Sequence, residues 1–124
     1  MKTIDVTILD VKVSAPLLNP KAAAVYENGM KKCIERIRTA DERIENGVEA
    51  LKEQCNAVID YIDEVFGVGT SRQILGEETD VLTCLDALTD MANLYEKQVS
   101  PVIKAKTEKL AELLVRDGDK GDPV

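Results

Sequence analysis

The residues that could carry out chemistry are concentrated between Glu53 and Gly76. Three carboxylates in this stretch, Asp60, Asp63 and Glu64, lie close together along the chain. Paired carboxylates act as general acid and base only in a pocket that separates their pKa values. Here they border an apolar helical stripe near a predicted helix C-terminus, where the helix dipole slightly disfavours negative charge. The pattern therefore indicates surface acids, and we predict no catalytic residue among them.

A glycine-containing turn, Gly67 to Ser71, follows this helix. A phosphate-binding loop would require a buried strand before it and a Gly-Lys-Ser/Thr ending. Here the preceding element is helical and the chain continues with Arg72 and Gln73. We predict instead that the glycines end one helix and that Thr70 or Ser71 caps a short second one. No cofactor is predicted.

The cysteines and the C-terminal aspartates do not form a metal-binding pattern. Cys33, Cys55 and Cys84 are far apart, and the chain has no histidine, whereas structural zinc requires closely spaced thiolates or histidines. We expect three buried, reduced thiols. The aspartates from Asp117 to Asp122 lack the closing glutamate of a calcium loop. We predict no catalytic, cofactor-binding or metal-binding residue, and we do not expect an enzyme.

Length and composition predict one domain. The 124 residues contain 3% aromatics and no tryptophan, so the core must be aliphatic, which favours helix packing. We predict a single helical domain with an N-terminal β segment over residues 1–116, and a flexible acidic tail over residues 117–124. The net charge of −7, without a basic patch, argues against a nucleic-acid partner. The lack of a signal-peptide pattern or a membrane-length apolar run predicts a cytoplasmic protein without membrane contact.

The N-terminal segment from Thr3 to Val13 alternates apolar and polar residues. Ile4, Val6 and Ile8 fall on one face, which predicts a strand or a two-stranded ribbon. A lone strand cannot satisfy its own backbone polar groups. Three arrangements stay open: a hairpin (although no Asn-Gly turn is present), a strand laid along the helices with water at one edge, and pairing with another molecule to give a homo-oligomer.

The rest of the chain shows helical periodicity. Asn19-Pro20 is a helix-start signature, and apolar residues recur at helical spacing as far as Val65. We favour a break or sharp kink near Gly47 over one bent helix across residues 20–66. The predicted fold is mainly α: an N-terminal β strand or ribbon followed by a bundle of about three to four helices.

The C-terminal part is predicted to contain one or two further helices. Thr79 or Asp80 is a good N-cap for a helix whose apolar residues run from Val81 to Val99. Ser100-Pro101 indicates a new cap with proline at the first helical position, or a kinked continuation of the preceding helix. The last helix carries an apolar set, with lysines outward. The apolar residues are Val102, Ile103, Leu110, Leu113 and Leu114, and the lysines are Lys104, Lys106 and Lys109.

Five short motifs lie between Glu53 and Leu88. They are Glu53-Gln54-Cys55, Asp60-Tyr61-Ile62-Asp63-Glu64-Val65-Phe66-Gly67, Gly69-Thr70-Ser71, Ile74-Leu75-Gly76 and Cys84-Leu85-Asp86-Ala87-Leu88. In these motifs, residues 53–88 resemble a family of small uncharacterised proteins from tailed phages and prophages of Gram-positive bacteria. The N-terminal β segment before a charged helix also matches, whereas the acidic Gly/Asp tail departs from the basic segment in which that family usually ends.

This resemblance implies a function in phage tail morphogenesis. The expected role is a tail assembly chaperone in the host cytoplasm, which binds the tape-measure or tail tube protein before polymerisation. No catalytic residue follows from the resemblance. The alternatives are a structural virion component, such as a tail or connector protein, and a small helical regulator of host proteins.

Overall fold

The computed structural model describes the backbone of residues 1–121 and the side chains of residues 1–115. An N-terminal β-hairpin is followed by helices, which confirms the predicted mainly helical fold. The described part has five α-helices, more than the three to four predicted. The elements are β1 (Ile4–Ile8), β2 (Val11–Ala15), α1 (Pro20–Arg43), α2 (Gly47–Phe66), α3 (Thr70–Leu75), α4 (Val81–Ala92), a π-helical stretch called the π segment (Tyr95–Val99), and α5 (Ser100–Gly121).

The predicted flexible tail over residues 117–124 is only partly covered by the structure. The backbone of α5 is helical as far as Gly121, and residues 122–124 lie outside the described residues. The tail and the domain limits therefore stay predictions.

The N-terminal segment forms a hairpin. β1 and β2 pair antiparallel around Leu9 and Asp10, whose φ angles are 46° and 65°. Two consecutive positive φ values give the turn whose twist matches that of the flanking strands. Alternate residues of both strands enter the core, whereas the others face outward. The buried residues are Val6, Ile8, Val13 and Ala15.

Side chains from the C-terminal half cover the outer edge of β1. The Thr7 N–H donates to Gln98 Oε1, and Gln98 Nε2 donates to the Thr7 carbonyl, both at 2.8 Å. The Leu9 N–H donates to Asp90 Oδ2 at 2.9 Å. The strand thus finds its partners within the chain, so its backbone does not require pairing with another molecule. The sequence predicted a homo-oligomer because a lone strand would leave its backbone polar groups unpaired. That argument no longer applies to β1, and the homo-oligomer through this strand stays a prediction.

Helices α1 and α2 form an antiparallel helical hairpin. Asn19 accepts from the N–H groups of the first turn of α1, and Asn46 does the same for α2. The break near Gly47 is therefore confirmed. However, Asn46-Gly47 begins α2, and α1 has already ended at Arg43. An Asn side chain before an exposed helix start is an N-cap acceptor, which explains why this pair starts a helix.

All three tyrosines of the chain meet in the core. The ring centroids of Tyr26 and Tyr95 are 4.6 Å apart, and those of Tyr26 and Tyr61 are 6.3 Å apart. The Tyr61 hydroxyl donates to the Tyr26 carbonyl at 2.6 Å, and the Tyr95 hydroxyl donates to the Leu17 carbonyl at 2.6 Å. The Tyr26 hydroxyl donates to the Met91 carbonyl. These bonds connect α1 to α2, α4 to α1, and the π segment to the linker after β2.

The C-terminal helices form a nearly continuous rod. Asp80 caps α4 by accepting from the Thr83 N–H at 2.8 Å, as one of the two predicted caps. Ser100 is not a cap, because its φ of −58° and ψ of −38° are helical and its N–H donates to the Tyr95 carbonyl. α5 therefore continues the preceding helical stretch, with the π segment at the junction. Pro101 has no N–H to donate to the carbonyl four residues earlier, and its ring crowds that carbonyl. The helix therefore cannot keep regular α-helical hydrogen bonds before Pro101, which accounts for the π segment.

Candidate interaction surface

Two of the three carboxylates singled out in the sequence, Asp60 and Asp63, stabilise contacts between helices. Asp60 Oδ2 and Glu53 Oε1 both accept from the Arg36 guanidinium at 2.8 Å, which links α2 to α1 at the surface. Asp63 Oδ1 accepts from the Ser71 N–H at 2.8 Å. Asp60, Asp63 and Glu53 therefore each have a structural partner, and Arg36 is the residue that the sequence did not connect to Asp60 and Glu53.

The glycine turn has the predicted structural role, with one correction. Gly67 ends α2 with φ of 111°, and Gly69 has φ of 95°. Neither Thr70 nor Ser71 caps α3, because Thr70 is already its first residue. Asp63, eight positions before Ser71, supplies the missing acceptor from the last turn of α2. A cap from another helix leaves no local spacing signal, and this is why the sequence did not show it.

The cysteines occupy two kinds of environment. Cys33 and Cys84 are buried, and burial raises the pKa of each thiol to about 11. Cys55 is only half-buried, so the prediction of three buried thiols is wrong for this residue. Within the part of the chain that the structure describes, no three His, Cys, Asp or Glu side chains converge as metal ligands would.

Helix α5 exposes its apolar residues. Every side chain from Ser100 to Val115 is exposed, so this helix does not pack into the bundle as its pattern suggested. At 3.6 residues per turn, five apolar residues fall within an arc of about 120°. We call them the α5 stripe. They are Val102 (39% exposed), Ile103 (50%), Leu110 (66%), Leu113 (51%) and Leu114 (75%).

A second apolar surface lies between the beginning of α2 and the beginning of α4. It is an open groove of about 680 Å³, which we call the α2–α4 groove. Val48 and Leu51, placed on the core stripe by their spacing, are 61% and 53% exposed there, and Leu82 is 75% exposed. The complete lining is Val48, Leu51, Lys52, Cys55, Asn56, Thr79, Asp80, Val81 and Leu82.

Residues 9–115 match DUF6673, which is described as a family of unknown function. The chain belongs to this family. No curated protein and no solved structure matches it. The DUF6673 match begins in the β-hairpin turn and ends in α5, so both the α2–α4 groove and the α5 stripe lie within the part of the chain that the family defines.

The two apolar surfaces of this DUF6673 protein differ in charge. Lys106 lies within the arc of the α5 stripe and Lys109 beside it, as helical spacing requires. At the groove, hydrogen bonds from Thr83 hold the pKa of Asp80 below its usual value, so this carboxylate is charged at neutral pH. Lys52 in the groove is already paired with Glu49, at 3.5 Å. Such surfaces are suited to binding another helix.

Among the described residues, no helix is both long enough and apolar enough to span a membrane.

Proposed function

We propose that this protein is a non-enzymatic tail assembly chaperone of a tailed phage or prophage. It binds the tape-measure or tail tube protein in the host cytoplasm before that partner polymerises. The resemblance of residues 53–88 supports the phage context. The α5 stripe is the observation that carries the binding role.

The α5 stripe supports this proposal because a helix with one apolar face needs that face covered. Most helical stability in proteins comes from packing of the amphipathic face, and isolated helices of this length are marginal in water. Within its own chain, however, α5 exposes all its side chains from Ser100 to Val115. Contiguous exposed apolar surface of this kind commonly marks a protein interaction site.

The acidic character of the chain supports a soluble holding factor. The net charge of −7 opposes non-specific aggregation of the chain. A chaperone for a polymerising subunit must shield apolar surface on that subunit without precipitating itself. The combination of an exposed apolar helix and an acidic body meets both requirements.

Copurification tests the proposal. The chain is coexpressed with the tape-measure protein or the tail tube protein of the same gene cluster. We expect the wild type to retain one of these proteins, and a stripe variant, Leu110→Glu with Leu113→Glu, to lose it. Val115→Glu is the matched control, because Val115 is 64% exposed on the opposite side of α5. Retention of the partner by the stripe variant would contradict the proposed binding role.

Mass spectrometry of purified particles separates a chaperone from a structural component. A chaperone is absent from finished particles, whereas a tail or connector protein remains there in stoichiometric amount. Stoichiometric recovery of this chain from particles would overturn the chaperone assignment and favour the virion component.

A further inference from the structure

We propose that α5 of one copy docks into the α2–α4 groove of a second copy. The chain carries both halves of an interface, an exposed apolar helix and an exposed apolar groove, and neither is covered within the copy itself. A helix laid into an apolar groove, with side chains three and four positions apart as anchors, is a common mode of recognition. This inference does not depend on the proposed phage partner.

The geometry favours docking between two copies over docking within one. The groove lies at the N-terminal end of α4, where Asp80 and Leu82 line it. α5 begins at Ser100, 18 residues further along an almost continuous helical rod. At 1.5 Å per residue, the helical stretch from Leu82 to Ser100 is about 27 Å long when measured along its axis. None of the described α5 residues lines the groove of the same copy, so we assign the groove to the α5 of a second copy.

The apolar surfaces of the two halves are complementary in kind. The groove presents Val48, Leu51 and Leu82, which are all more than half exposed. The α5 stripe presents leucine and β-branched side chains along one side of a helix, and α5 is about 24 Å long from Ser100 to Val115 at 1.5 Å per residue. Docking would remove both sets from water, which is the main favourable term in protein association.

The charges fit the same arrangement. From Ser100 to Val115, α5 carries three lysines and two glutamates, whereas the chain as a whole has a net charge of −7. Lys106 lies within the stripe, so it enters the interface together with the apolar residues. On the groove side, Asp80 is a charged acceptor, and the acidic Glu77 and Glu78 precede it directly in the chain. Such complementarity fixes orientation and disfavours wrong partners.

Sedimentation velocity of the purified full chain tests the proposal. The wild type is expected to show a mass above the 13.6 kDa of one copy, and this mass rises with protein concentration. The groove variant is Leu51→Lys, and its control is Val68→Lys, because Val68 is 98% exposed outside the groove. The stripe variant and its control Val115→Glu are those used for copurification. Burying a charge against an apolar surface should weaken self-association by about tenfold or more in each variant, but not in either control.

Mixing the two defective variants is the decisive step. The groove variant keeps an intact α5, and the stripe variant keeps an intact groove. Each alone should remain at the mass of one copy, whereas an equimolar mixture should form pairs through one intact interface. A wild type that stays at one-copy mass would overturn the proposal. So would a groove variant that associates as well as the wild type, because α5 would then pair with α5, and so would a mixture that does not recover.

Cys55 provides an independent readout, because it lines the groove. Alkylation of Cys55 should become several-fold slower in the wild type as protein concentration rises into the associated range. In the stripe variant the rate should not depend on protein concentration. Equal concentration dependence in both proteins would contradict docking at this groove. All of these experiments use the purified chain alone, so their failure would leave the proposed phage partner untouched, and failure of copurification would leave self-association untouched.

Discussion

The side-chain amide of Gln98 pairs with both backbone polar groups of Thr7. Its Oε1 accepts from the Thr7 N–H and its Nε2 donates to the Thr7 carbonyl, each at 2.8 Å. A glutamine from the π segment thus takes the place of a neighbouring strand at the edge of β1. An unpaired edge is a site at which strands of other molecules add, so this pairing also protects the hairpin.

We expect Gln98→Ala to lower the free energy of unfolding by about 1 kcal/mol, because two backbone hydrogen bonds are lost at an exposed edge. Lys97→Ala is the control, since Lys97 is exposed and a surface change of this kind is usually within about 0.5 kcal/mol of neutral. Urea denaturation measures both. If the two variants unfold at the same urea concentration, the Gln98 amide does not stabilise the hairpin.

Gly29 allows α1 to approach the ring of Tyr61. A Cβ at Gly29 would lie 2.7 Å from Cε1 of this ring, and Tyr61 is buried. Gly29→Ala should therefore lower the free energy of unfolding by about 1–3 kcal/mol, as overpacked core positions do. Gly47→Ala is the matched control, because a Cβ at Gly47 meets nothing within 4 Å. It should stabilise the protein by about 0.5 kcal/mol through reduced freedom of the unfolded chain. Thermal unfolding compares the two, and equal stability would show that Tyr61 moves aside without cost.

The glycine turn should tolerate no branched side chain. Gly67 and Gly69 have φ of 111° and 95°, a region that β-branched residues rarely adopt. We expect Gly67→Val and Gly69→Val each to cost more than about 1 kcal/mol in urea denaturation. A Cβ at either position meets no atom within 4 Å, so the cost would come from the backbone alone. Wild-type stability of both variants would mean that the turn readily adopts another conformation.

The buried thiols should make the fold sensitive to alkaline pH. Burial raises the pKa of Cys33 to about 11, so the folded thiol stays neutral where the unfolded one, with a pKa of about 8.5, is already ionised. A raised folded-state pKa contributes stability that is complete below the unfolded pKa and is lost as pH rises through the folded pKa. The free energy of unfolding should therefore fall between pH of about 8.5 and about 11. Cys33→Ala should show a shallower fall than the wild type, and identical slopes would rule out a contribution from this thiol.

Local capping chemistry made two helix starts predictable from the sequence. Asn19 and Asp80 each accept from N–H groups two or three residues ahead, and this spacing is visible in the chain itself. Asn46 caps α2 in the same way, but the sequence indicated only a break near Gly47. The hairpin turn was less visible, because Leu9 is a residue that rarely adopts positive φ. Its N–H is bonded to Asp90, 81 positions away, and no local pattern reports such a partner.

Amphipathic periodicity showed which residues share a face, but not what covers that face. The apolar spacing of α5 is as regular as that of α4, yet Met91 of α4 is fully buried and Leu110 of α5 is 66% exposed. Val48 and Leu51 continue the apolar spacing of α2 but are 61% and 53% exposed, because α2 extends past the elements that cover its later turns. Because the α5 stripe and the groove residues have the same apolar spacing as a buried helix face, the sequence did not indicate that they are exposed.

The π segment sets the direction in which α5 presents its stripe. A π-helical turn accommodates an extra residue without completing a further α-helical turn. Removal of one residue between Tyr95 and Val99, with return to α-helical bonding, would rotate everything beyond it by about 100° around the helix axis. The α5 stripe would then face a different direction relative to the rest of the protein, although none of its side chains would have changed. If α5 binds the partners proposed above, a single-residue insertion or deletion at this site would redirect its contact surface without any substitution on that surface.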